Sequence, residues 1–282
     1  MQALDDYIDR IQHLPPAPKL LPPLLQLLRQ PDTDMDRVIR LIAHDPSLTA
    51  SVLRLGNSVA FNRGSPVQSL NEAVGRLGFE TLYRLVVAVC GSKMLGPSQA
   101  GYGLDPGELW KHSVTAAVAT QIIARDCHED ESLAFTAGLL HDVGKLVLSQ
   151  ALEGRYRQVA EQVDQFGRSM LEAEKALLGV QHAEIGGRLL ARWSFPPSLV
   201  QAVWWHHEPA SAGDFQRLAA CTFAGNMVAN LIGQSYGIHA LALNGSPDAA
   251  RLIGLDADRF QHYMIRTQEE FAGVETLVQS GS

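Results

Sequence analysis

Apolar residues in this chain return every three or four positions almost wherever they occur. Nowhere does the sequence sustain the period-two alternation of a half-buried strand. That spacing restricts the chain to packed helices. The stretch "MDRVIRLIAHDPSLTASVLRLGN" holds two short amphipathic segments. Between them Asp45 is placed to cap the second helix, with Pro46 in its first turn and Gly56 near its end. "SLNEAVGRLGFETLYRLVVAVCGSKML" reads as two further helices that part near Gly78. The expected fold is all-α.

The Gly/Pro/Ser-rich stretch "GPSQAGYGLDPGE", residues 96–108, reads as a connection. It divides an N-terminal helical lobe, residues 1–95, from a second helical lobe, residues 109–282. Each lobe has apolar helical faces that need cover, so the first is expected to pack on the second. "FGRS" and "SFPPS" subdivide the second lobe. From Arg251 to Ser282 the tail reads as one helix-like stretch, "DADRFQHYMIRTQEEFAGVETLVQ", which covers the lobe or meets a partner.

Composition excludes several functions. The chain has 282 residues, 46% of them apolar, with no apolar run of the roughly 18 residues a membrane span needs. The opening "MQALDDYIDRIQHLPPAPK" carries acidic residues early and lacks an apolar core, unlike a secretory leader. The expectation is a cytoplasmic protein without membrane insertion. Against 30 acidic residues stand 23 basic ones, a net charge of -7 with no Lys/Arg cluster, which argues against generic nucleic-acid binding. Cys90, Cys127 and Cys221 lie far apart and form no CxxC pair, so they read as small buried hydrophobes.

The chemistry concentrates in the second lobe. In "FTAGLLHDVGKLVLSQ", residues 135–150, an apolar run breaks for His141 and Asp142. His112 sits early in "GELWKHSVTAAVATQIIARD", a helix with a small apolar face. His182 opens "QHAEIGGRLLARW", and His206 with His207 closes "SLVQAVWWHHEP", where Pro209 enforces the stop. Successive residues on a helix point about 100° apart, so a doublet cannot share a face, yet long side chains can converge on an ion between helices. Imidazole and carboxylate together suit iron, manganese, zinc, nickel or cobalt rather than calcium. The simpler alternative is a set of core histidines satisfied by hydrogen bonds, which suffices for His128, His239 and His262. A second doublet, His44–Asp45, has no histidine cluster around it, and its aspartate precedes a proline at a helix start. That doublet reads as structural.

The ordered series His, His-Asp, His, His-His resembles the HD superfamily of metal-dependent phosphohydrolases, named for the doublet matched by His141–Asp142. As a whole the chain resembles the HDOD domain, a bacterial relative common in signal transduction. The residues that carry this are Leu14–Pro15, Asp45–Pro46, Leu53–Leu55, Asn57–Ser58 and Ala73 through Gly78, within a resemblance covering roughly residues 5 to 235. It implies an N-terminal bundle of about five helices followed by an HD-like bundle. Many HDOD domains lack the HD ligands. Here His112, His141, Asp142, His182, His206 and His207 fall where the catalytic HD-GYP relatives place metal ligands. Glu108 matches a further acidic ligand of some three-metal members, and Lys145 a lysine that faces phosphate. Two departures stand against this. Asn226 occupies the place of the last metal-binding aspartate and is a weaker ligand. "HHEPASAGDFQRL" lacks the "GYP" segment that helps those relatives hold cyclic di-GMP.

Two classes of function are implied by the resemblance. One is a signalling module acting on protein partners of a bacterial pathway, with one or two divalent ions of iron, manganese, nickel or zinc. The other is a phosphohydrolase acting on a phosphorylated small molecule, a phosphodiester or a nucleotide. A metal or redox sensor would reuse the same ligands. Trp193, Trp204 and Trp205 read as shields of the His cluster, and Ser198 as a helix cap.

Overall fold

The computed structural model of the chain describes residues 20–28, 35–61, 65–164, 166–234 and 246–279. Leu14–Pro15 and His239 lie outside the described residues. Helices account for the architecture, and no strand occurs among the described residues; Gln99 and Leu104 form a single isolated antiparallel bridge. Two compact units divide the chain, one drawn mainly from residues 17–91 and the other mainly from residues 92–270.

The smaller unit begins with α1 (Leu21–Leu28), α2 (Met35–Ala43), α3 (Pro46–Gly56) and α4 (Leu70–Leu77). The three-to-four spacing buries Leu21, Leu24, Val38, Ile42, Leu48, Val52, Leu55, Val74 and Leu77 together. Asp45 caps α3 as its sequence implies, accepting a hydrogen bond from Leu48 N at 3.0 Å, with Pro46 at the first position. Asn57 clamps the exit of that helix. Its Nδ2 donates to the carbonyls of Leu53 and Val67, at 3.0 and 3.1 Å, while its Oδ1 accepts from Val67 N. The next helix, α5 (Phe79–Leu95), contains the unit boundary at Gly91–Ser92.

In the larger unit, residues 96–108 are built into the fold. Gly101 N donates to Ser149 Oγ at 3.1 Å, and a Cβ on Gly101 would stand 2.2 Å from the Ser149 carbonyl oxygen. The centre is α6 (Glu108–Asp126), buried continuously from His112 to Ala124 because its residues are apolar or small on every side. Burial of a side chain such as Ile122 or Ile123 contributes roughly 1.5–3 kcal/mol. Against α6 pack α7 (Glu131–Leu140) and α13 (Gln216–Leu231). Gly138 and Gly225 seat these neighbours on the Ala116–Thr120 surface, where an added Cβ would meet Thr120 Oγ1 at 2.7 and 2.1 Å.

The remaining helices are α8 (Lys145–Ala151), α9 (Tyr156–Asp164), α10 (Met170–Leu178), α11 (His182–Arg192) and α12 (Pro197–Trp204), then α14 (Pro247–Ile253) and α15 (Ala257–Gln279). The quoted stretch of the tail, residues 256–279, thus forms one helix, α15, while Arg251 belongs to the shorter α14 before it. Gly254, at φ +61°, closes α14 in the left-handed conformation that favours glycine. None of the described helices is long and apolar enough to cross a membrane.

Candidate metal centre

Helix ends deliver every histidine of the site except His112, which lies in the second turn of α6. α7 starts on Asp130, whose carboxylate accepts from Ser132 N and Leu133 N, and stops after Leu140. His141 is its cap, and Asp142 lies in the turn before α8. His182 is the first residue of α11, set there by the Gln181–Glu184 capping box. α12 ends at Trp204, so His206 and His207 come after it in a turn, and Pro209 opens a short 3₁₀ segment rather than ending the helix itself. Gly144 permits the central approach: a Cβ there would stand 1.9 Å from the His182 carbonyl oxygen. Any larger residue pushes α8, and Asp142 with it, away from α11.

Two groups of donors result. His112, His141 and Asp142 form one, and His182, His206 and His207 the other, with the donor atoms of each group within 4.8 Å of one another. Asp142 joins them. Its Oδ2 lies 3.4 Å from His141 Nε2 and 3.6 Å from His112 Nε2, while its Oδ1 lies 3.2 Å from His182 Nε2. The carboxylate is buried.

The hydrogen bonds on the outer sides of the rings decide what the inner sides can do. His112 Nδ1 faces the Gln234 carbonyl at 2.8 Å, His141 Nδ1 that of Gly138 at 2.7 Å, and His206 Nδ1 that of Val203 at 2.7 Å. His182 Nδ1 faces both oxygens of Glu174 at 2.9 Å. Each of these acceptors requires a proton on Nδ1, which leaves Nε2 of a neutral ring as a bare lone pair. The inner nitrogens converge: His112 Nε2 and His141 Nε2 are 3.3 Å apart, and His182 Nε2 faces His207 Nε2 at 3.1 Å. Asp142 Oδ1 and His206 Nε2, both buried, have no hydrogen-bond donor. His182 Nε2 stands 3.2 Å from that Oδ1, an electrostatic contact.

A buried group of acceptors without protons destabilises a fold by roughly 1–3 kcal/mol for each unsatisfied atom. A divalent cation relieves it, and the set fits one: neutral imidazoles with a carboxylate that spans both groups. Electrostatics agree. Burial pushes the His112 imidazolium down to about 4, against the pull of Asp142. Burial, aided by neighbouring histidines, holds His206 and His207 well below the usual range. Asp142 resists its burial and stays well below the usual carboxylate range, because His141 and Lys145 favour its charge. His182 is the exception. Burial opposes its proton, but Glu174 and Asp142 overcome that and raise it to about 9.

The other expected site residues have partners of their own. Lys145, half-buried, donates to Asp142 Oδ2 at 2.7 Å, with its ammonium 5.9 Å from the centroid of the Tyr102 ring. Asn226 is buried on α13, and its Oδ1 accepts from Asn230 Nδ2 at 2.8 Å. Glu108, the first residue of α6, accepts from Asp105 N at 2.7 Å through Oε2. Trp204 and Trp205 are half-buried beside the His-His turn. Ser198 is not a cap: Pro196 holds that position, and the buried Ser198 Oγ makes no hydrogen bond. Sequence reasoning missed Glu174 and Tyr102. Glu174 is buried on α10, accepting from His182 and, at 2.8 Å, from Tyr102 OH. Its only local mark is a charge on the inward side of an otherwise ordinary amphipathic helix.

A family model for the HDOD domain matches residues 14–209. The chain belongs to the HDOD family. The ligand positions expected from the HD superfamily, His112, His141, Asp142 and His182, are all present in this HDOD chain and meet in one cluster. Among solved structures it is similar to a candidate phosphohydrolase from Shewanella amazonensis SB2B, at 26% identity and TM-score 0.74, covering 99% of this chain and 98% of that one. A candidate signal transduction protein from Marinobacter aquaeolei VT8 has the same fold, at 22% identity and TM-score 0.77, covering 99% of this chain and 65% of that one. Curated relatives include an uncharacterized protein of Treponema pallidum, 24% identical over 222 residues, and ribonuclease Y of Campylobacter concisus, 26% identical over 187 residues. These alignments take in 78% and 66% of the HDOD chain, but only 42% and 30% of the two relatives, so it spans less than half their length.

Proposed function

We propose that this HDOD protein is a signalling module that holds one or two divalent transition-metal ions, of iron, manganese, nickel or zinc, between His112, His141 and Asp142 on one side and His182, His206 and His207 on the other. One observation carries the reading: buried Nε2 atoms from both donor groups converge around Asp142, where neither Asp142 Oδ1 nor His206 Nε2 has a hydrogen-bond partner. Family membership supports a signalling role exercised through protein partners of a bacterial pathway. Elemental analysis of protein purified without added metal tests the ion. A chain that takes up none of these metals, even when they are supplied in excess, overturns the proposal.

A second reading, hydrolysis of a phosphorylated small molecule, is favoured by Lys145. Its ammonium reaches the edge of the ion site and is not fully buried. When bound, the ions would polarise a water and neutralise phosphate charge. Lys145 would hold the phosphate, and Asp142 would fix the spacing of the two donor groups. Turnover on a panel of phosphodiesters and nucleotides, measured with metal-loaded protein, separates this from a site that binds without reacting.

A further inference from the structure

Two charged residues that are not ligands press on opposite sides of the donor set. Glu174 lies behind His182, buried, and takes three donors: His182 Nδ1 at 2.9 Å, His182 N at 2.7 Å and Tyr102 OH at 2.8 Å. Lys145 lies on the other side, its Nζ 2.7 Å from Asp142 Oδ2. That is closer than either imidazole of the same group, at 3.4 and 3.6 Å.

We infer that these two residues rank the metal positions: Glu174 makes the His182/His206/His207 position the tight one, and Lys145 makes the His112/His141/Asp142 position fill second, with a phosphate-type anion as the group that releases it. This rests on the metal-holding reading above. Glu174 acts through His182 and is a positioning residue. Its negative charge, fixed by Tyr102, draws on the Nδ1 proton and makes Nε2 a stronger donor to a cation. Lys145 does the opposite. An ion that takes Asp142 Oδ2 must displace an ammonium already there, and then sits beside that positive charge. A phosphate anion pairing with the ammonium removes the obstacle, so anion and second ion favour each other's binding by equal factors.

The test is calorimetric titration of the metal-stripped full chain with Zn²⁺ or Mn²⁺, with and without inorganic phosphate. Two steps are expected, only the weaker of them strengthened by phosphate. His206→Ala should abolish the tighter step and so locate it. Glu174→Gln keeps the shape, removes the charge, and should weaken the tighter step about 10–100-fold, the range seen for outer-shell partners of a ligand. Lys145→Met should tighten the weaker step and cancel its response to phosphate. Where Glu174→Gln does not fold, Tyr102→Phe should weaken the same step to a smaller degree. Equal steps, an effect of Glu174→Gln confined to the weaker step, or a Lys145→Met isotherm like the wild type would overturn the ranking and leave the metal site standing. Thermal destabilisation by Glu174→Gln with an unchanged isotherm would give Glu174 a merely structural role and overturn its half of the ranking. Binding of no ion at all would overturn both proposals.

Discussion

The chain contains the same two letters twice, and they do unlike things. At His44–Asp45 the imidazole is exposed, and the carboxylate turns back to its own helix to cap it. At His141–Asp142 both side chains are buried, and the carboxylate reaches residues from other parts of the chain. The difference begins with the residues after each doublet. Pro46 starts a helix at once, so Asp45 becomes an N-cap. After Asp142 come Val143 and Gly144, and the missing Cβ of Gly144 lets α11 close over the turn. A dipeptide thus acquires its role from the backbone it opens and the partners that packing brings to it.

The largest contrast is between the two aspartates. Asp142→Ala removes the carboxylate that faces both donor sets, and should abolish metal uptake altogether. Asp45→Ala should leave metal content at the wild-type level and cost only the cap, about 0.5–2 kcal/mol of stability. Elemental analysis beside thermal unfolding reads both. Metal loss from a folded Asp45→Ala protein would collapse the comparison.

Next in size is the residue two places after each aspartate. Gly144→Ala forces a Cβ toward the His182 carbonyl oxygen, 1.9 Å away, and backbone must shift to admit it. Destabilisation of about 1–3 kcal/mol is expected, with weakened metal binding because Asp142 and His182 move apart. Ser47→Ala, at the exposed counterpart, should change stability by less than about 0.5 kcal/mol. If Gly144→Ala binds metal like the wild type, the close approach does not set the site.

How far the sequence reaches obeys the same division. Asp45, Pro46 and Gly56 mark their helix because capping is local, settled within a few residues. The histidines stand out because imidazoles near helix ends interrupt apolar runs. Glu174 and Tyr102 do not stand out. Their hydrogen bond joins residues 72 positions apart, and Tyr102 comes from a stretch whose composition marks only a connection. Gly138 and Gly225 look like weak points in helices until α6 is seen packed against them. Ser198 misleads in the opposite sense: the residue type suits a cap, but Pro196 already holds the cap position.

A smaller effect is the pH dependence of the buried cluster. His112, pushed by burial to about 4, and His206 and His207, held well below their usual range, are neutral in the folded protein. Unfolded, each takes up a proton near 6.5. The unfolded chain then binds more protons, so the ion-free protein should lose stability as pH falls from about 6.5 toward 4. His182 has the opposite sign. Raised to about 9, it stabilises fully below about 6.5, and that contribution fades as pH climbs to 9. Melting of the stripped protein across this range should peak near neutral pH, and His112→Ala should flatten the acid side. An acid limb equally steep in His112→Ala would remove that residue from the account.

The smallest effect is the most pointed. His44→Ala takes the imidazole from the exposed doublet and leaves Asp45 with its bond to Leu48 N. Among the described residues His44 belongs to neither group of converging donors. An exposed side chain outside any cap or core contributes within about 0.5 kcal/mol. The variant should therefore melt with the wild type and carry the same metal, whereas His112→Ala and His206→Ala each lose part of it. Three such proteins, measured side by side, separate an imidazole that binds from one that only shares its neighbour's name. Depletion of metal in a still-folded His44→Ala protein would mean that the doublet itself attracts the ion, and that burial and convergent lone pairs are not what distinguish His141–Asp142.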